Sequence, residues 1–65
     1  MIPPHWHTAH GGRYKIEDRT NGNTHWYSWT AQASNGTGVG SEGSFAEATR
    51  RAVAALAKFE KERGR

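Results

Sequence analysis

Between Ser44 and about Glu62, apolar side chains return at steps of three and four residues. Phe45, Ala48, Ala52, Ala55, Leu56 and Phe59 therefore share one face of a predicted helix, with Arg50, Arg51, Lys58 and Glu62 mostly off it. Ser44 and Glu47 have capping-box spacing. The serine oxygen can accept from the amide three residues on, and the glutamate can reach back to the serine amide. Alanine is the best helix former, and no glycine or proline interrupts the run before Gly64.

Upstream, the period changes to two. In Arg13–Arg19, Tyr14 and Ile16 alternate with Arg13, Lys15 and Glu17, the pattern of a strand with one wet face. Thr20-Asn21-Gly22-Asn23 then reads as a hairpin turn, because asparagine and glycine tolerate positive φ. From His25 to Ala33, Tyr27, Trp29, Ala31 and Ala33 fall on one face, and Trp26, Ser28, Thr30 and Gln32 on the other. Asn35-Gly36 marks a second hairpin. Thr37–Gly43 reads as a short third strand with Val39 as its clear core residue. Its glycines at 38, 40 and 43 allow another backbone or a ligand to come close.

This order predicts one α+β domain over residues 13–63: a three-stranded antiparallel β-meander packed on one C-terminal α-helix. The helix is expected to bury its stripe on Tyr14, Ile16, Tyr27, Trp29 and Val39. Residues 1–12 contain two prolines, three histidines and a glycine pair without periodicity, and read as a flexible N-terminal arm from which Trp6 can dock on the core. His5, His7, His10 and, further on, His25 are the candidate metal ligands. Without cysteine or carboxylate partners a polar arm is the preferred reading, and no metal or cofactor is expected.

Composition narrows the class. A 65-residue chain makes one domain at most, and a domain of this size buries only about 60% of its unfolded surface. Oligomerisation through sheet edges or the alanine-rich helix is one way to add stability. The chain has no cysteine, which is compatible with a cytoplasmic location. No signal peptide is visible, and no apolar run approaches the roughly 20 residues of a membrane span. Hydrophobic residues are only 34%, but three tryptophans, two tyrosines and two phenylalanines argue against disorder. A net charge of +3 and a pI of about 9.8 favour an anionic partner.

One helix covers one sheet face, so alternation leaves Arg13, Lys15, Glu17, Arg19, Trp26, Ser28, Thr30 and Gln32 on the other. An antiparallel ribbon fits the major groove, where arginine and lysine meet phosphates or guanine edges. An exposed tryptophan can instead stack on an unpaired base. Arg13, Lys15, Arg19, Trp26, Ser28, Thr30 and Gln32 are therefore the candidate binding residues. Catalysis is not expected. Three of the four histidines lie in the arm, the carboxylates are scattered among cations, and no nucleophile or phosphate loop has its usual context.

Tyr14-Lys15-Ile16, the Trp26-Tyr27-Ser28-Trp29 block and the helix entry Gly43-Ser44-x-x-Glu47-Ala48 resemble two families. These are the arm-binding domains of phage tyrosine integrases and the plant ethylene-response-factor type of DNA-binding domain. In both, the sheet enters the major groove, so the resemblance, over roughly residues 13–60, implies DNA binding. Gly38-Val39-Gly40-Ser41-Glu42-Gly43-Ser44 running into Glu47-Ala48 and Ala52 is similar to the last strand and helix of double-stranded RNA-binding domains. That family places lysines just inside its last helix and has a first helix. Here Phe45, Ala46 and Thr49 hold the lysine positions and residues 1–12 are not helical, which favours DNA over RNA. The competing expectation is a phage- or plasmid-type small protein that inhibits a host protein, docking the same aromatic and basic face on an acidic surface.

Overall fold

The computed structural model describes residues 6–64. Four strands, β1 (His7–Ala9), β2 (Gly12–Asn21), β3 (Thr24–Ala33) and β4 (Gly36–Glu42), precede one helix, α1 (Phe45–Arg63). The strands form an antiparallel sheet in the order β1-β2-β3-β4. The α+β class and the C-terminal helix agree with the sequence pattern. The strand number does not: the sheet has four strands rather than three, because part of the segment read as an arm pairs with β2. His10 (φ 52°) and Gly11 (φ 77°) form the two-residue link between β1 and β2. Positive φ at both positions is the signature of a type I′ hairpin, whose twist matches the strands it joins. A histidine there gives little warning of such a turn.

The other two hairpins occur where Asn-Gly predicts them, but each is centred differently. The β2–β3 link is Gly22-Asn23, with Asn21 still paired to Thr24 and positive φ at Gly22. The β3–β4 link is Ser34-Asn35, and Gly36 already pairs with Ala33.

Register fixes which side chains meet the helix. Tyr14 pairs with Ala31, and Ala31 with Gly38; Ile16 pairs with Trp29, and Trp29 with Gly40. Trp29 supplies the bulk on this face and β4 supplies the space. A Cβ on Gly40 would lie 2.6 Å from the Trp29 Nε1 atom, and one on Gly36 would lie 2.6 Å from Phe59 Cε1. Val39 is therefore not core. It pairs with Thr30 on the opposite face and is 70% exposed. The expected strand phase is shifted by one residue, because glycine rather than valine is what fits beneath the aromatic rings.

Small residues on the helix bring it close to the sheet. Ala31, Ala48, Ala52 and Leu56 are completely buried. Leu56 approaches Gly12 so closely that a Cβ there would lie 2.8 Å from Leu56 Cδ2. Phe45, expected on the buried stripe, is 56% exposed and meets Tyr27 edge-on at 5.9 Å. It is the first helical residue, beyond the fully covered part of the sheet.

Ser44 caps the helix by accepting from the Glu47 amide at 3.1 Å. The Glu47 carboxylate meets Arg50 and Arg51 instead of completing a reciprocal cap. At the other end, Arg63 donates to the His10 carbonyl at 2.8 Å and to Asn35 Oδ1 at 3.1 Å. Asn35 donates to the Phe59 carbonyl at 3.1 Å, and His10 Nδ1 lies 2.9 Å from Glu60 Oε1. The helix end thus holds two hairpin turns together.

Two substitutions separate this packing from generic helix-on-sheet contact. Gly40→Ala should lower unfolding free energy by about 1–3 kcal/mol through overpacking against Trp29. Gly43→Ala should change it by no more than about 1 kcal/mol, since a Cβ there meets nothing within 4 Å. Leu56→Ala should cost about 2–5 kcal/mol. Urea midpoints measure all three, and equal midpoints for the two alanine-for-glycine variants would contradict the account.

Candidate nucleic-acid interface

The sheet face away from α1 collects every candidate binding residue. Arg13 pairs with Gln32, Lys15 with Thr30, Glu17 with Ser28, and Arg19 with Trp26. In an antiparallel ladder, directly opposed side chains project to the same side, and every second residue shares that side. Arg13 and Arg19 are separated by six strand positions, about 20 Å at the usual rise.

The cations are held in place. Arg13 donates through Nε at 3.2 Å and Nη2 at 3.0 Å to Gln32 Oε1. Arg19 donates through Nε to Ser28 Oγ and through Nη2 to Glu17 Oε1, each at 3.2 Å. Lys15 Nζ lies 3.9 Å from Glu17 Oε2. Glu17 therefore partly offsets two cations of this face, leaving Arg13 as the cation whose described polar partner is neutral. These contacts are exposed and weak individually, worth about 0–1 kcal/mol each. Together they limit the rotamers that a binding event would otherwise have to order.

Sequence reasoning missed Trp6. It was expected to dock on the core, but its ring packs on the open face. The Arg13 guanidinium carbon is 4.4 Å from the ring centroid and Lys15 Nζ is 5.2 Å from it. Strand alternation through Thr8, which pairs with Arg13, carries that signal once β1 is known to be a strand. Trp6 and Trp26 are both partly buried. Beside Arg13 a shallow, open depression of about 400 Å³ is lined by Thr8, Gly11, Gly12, Gln32, Ala33 and Ser34.

The remaining histidines do not converge. His7 tilts against Tyr14, with ring centroids 5.3 Å apart, His10 meets Glu60, and His25 meets Asp18. Among the described residues no group of three or more histidine, aspartate or glutamate side chains is placed to hold a metal ion. His5 lies outside the described residues. No described helix is long and apolar enough to cross a membrane. No protein-family model matches this chain, and neither the curated proteins nor the solved structures contain a match to it.

Removing the Trp6 ring tests this geometry directly. The Arg13 and Lys15 side-chain protons should be shifted by the ring current in the intact protein and return towards ordinary positions in Trp6→Ala. Stability should fall by about 0.5–1 kcal/mol for each lost cation–π contact. Unchanged proton shifts would place Trp6 elsewhere.

Proposed function

We propose that the chain is a small nucleic-acid-binding module that uses the open face of its sheet, with DNA as the ligand. The observation that carries this reading is the assembly of Arg13, Lys15 and Arg19 with Trp6 and Trp26 on the face that α1 leaves uncovered. Three cations against the single carboxylate of Glu17 give this face a positive balance. The overall charge of +3 acts in the same direction.

The chemistry divides into positioning and reading. Arg13, Lys15 and Arg19 would contact phosphates, which sets affinity and orientation but carries no sequence information. Gln32, Ser28 and Thr30 are short or medium hydrogen-bonding side chains beside them, of types that read base edges in a major groove. Trp26 would contribute by stacking or by apolar contact with a base. The resemblance to sheet-first DNA-binding domains points to the same face.

A second reading has an observation of its own. Glu17 occupies the middle of the cationic row and bridges Lys15 and Arg19. A carboxylate there disfavours phosphate but suits a protein surface of mixed charge. Tryptophan and arginine are also the residues most enriched in protein-binding hot spots. On that reading, this is a small inhibitor or adaptor protein docking through the same face.

Salt dependence separates the two. For duplex DNA, log affinity should fall linearly with log salt, with a slope near −0.9 per phosphate contact. Arg13→Ala, Lys15→Ala or Arg19→Ala should each flatten that slope by about one unit. Trp26→Ala should preserve the slope and weaken binding by about 1–3 kcal/mol, with little change in melting temperature. An intact protein that binds no DNA at low salt would overturn the DNA reading and favour a protein partner. A collapsed melt for Trp26→Ala would contradict its placement on the open face.

A further inference from the structure

The two edges of the sheet are unlike. β1 is three residues long, whereas β4 presents seven residues, Gly36–Glu42, and among the described residues no strand lies beyond it in the sheet. An edge strand exposes a row of unpaired amide and carbonyl groups, and monomeric proteins usually blunt such an edge with lysine, proline, a bulge or a covering segment. β4 contains neither lysine nor proline, and it pairs with β3 without a bulge from Gly36 to Glu42. Its only charge, Glu42, stands at its last position. Val39 is 70% exposed at the middle of the strand.

We propose that two copies of this chain pair antiparallel through β4, forming one eight-stranded sheet about a two-fold axis at Val39. The edge is complementary to itself. Val39 of each copy would face Val39 of the other, and each Thr37 would face the other copy's Ser41. β-branched pairs and threonine–serine pairs are favourable directly across an antiparallel ladder. Glu42 would face Gly36 of the other copy, so no like charges oppose each other. An unrelated extended peptide would find no charge on Gly36–Ser41 to recognise. Among the described residues only one large side chain, Leu56, is fully buried, so the isolated protomer has a thin core that further pairing would supplement.

The symmetry has a geometric consequence. A two-fold axis through an antiparallel pair stands perpendicular to the sheet, so both helices lie on one side and both open faces on the other. The assembly is independent of what that face binds, but it would present two copies of the Arg13–Trp26 row on one continuous surface.

Sedimentation at increasing concentration should show the mass rising from 7.2 kDa to twice that value. Val39→Lys opposes two like charges across the axis and should hold the mass at 7.2 kDa with an unchanged far-UV spectrum. Since the chain has no cysteine, single-cysteine variants give a second arm. Directly opposed strand positions have Cα atoms about 4.5–5.5 Å apart, within disulfide reach. Val39→Cys should therefore cross-link about tenfold or more faster than Thr20→Cys at the exposed β2–β3 end, through its higher effective concentration. An intact chain that stays at 7.2 kDa throughout, a dimeric Val39→Lys, or equal cross-linking rates would each overturn the proposal. If Val39→Lys fails to fold, the cross-linking comparison decides.

Discussion

The Trp29 indole lying across the glycines of β4 is the contact on which the rest of this small fold depends. Trp29 and Gly40 are register partners, and Gly40 leaves the space that the ring fills. Gly38 sits beside the same ring and close to Ala55, so the helix, the ring and the strand are layered there. At Gly36 the bulk comes from Phe59, and at Gly12 from Leu56, each against a residue without a side chain. The core is thus made by large groups meeting backbone, rather than by large groups meeting one another. That arrangement lets a chain with few aliphatic residues bury a helix, and it needs alanine at Ala48 and Ala52 on the helical side.

The same constraint determines which face is free. With glycine on the helix side of β4, its side-chain-bearing residues Thr37, Val39 and Ser41 face the other way. They extend the surface that already carries Arg13, Lys15, Arg19, Trp26, Ser28, Thr30 and Gln32. The cations are spread along β2 rather than clustered, and each is tethered by a neighbour: Gln32, Glu17 or Ser28. Such a surface suits a long, evenly charged ligand better than a compact one, in keeping with the DNA-binding reading.

Much of this was legible in the residues. The helix was visible because its stripe, its serine cap and its alanine content agree. β2 and β3 were visible because alternation persists through Tyr14, Ile16, Tyr27 and Trp29, and that alternation also assigned the open-face residues to a common side. β1 was not legible: three residues carry no period, and its turn depends on a histidine adopting positive φ. Val39 is exposed although it is the hydrophobic residue of a short strand, so hydrophobicity alone is a poor guide to burial there. Its neighbours' lack of side chains was the stronger signal, but it becomes readable only once Trp29 is known to lie opposite. Trp6 was misplaced for the same reason as β1, since its side of the sheet follows from pairing that the sequence does not reveal.

The most direct measurement is the amide and indole chemical-shift map of the protein titrated with a short DNA duplex at low salt. Changes should concentrate on Arg13, Lys15, Arg19, Trp26, Thr30 and Gln32, with the Trp6 and Trp26 indole protons among the most affected and the outer helix surface at Arg50, Lys58 and Lys61 unaffected. Shifts confined to that helix surface, or none at all, would contradict the claim that the uncovered sheet face binds DNA.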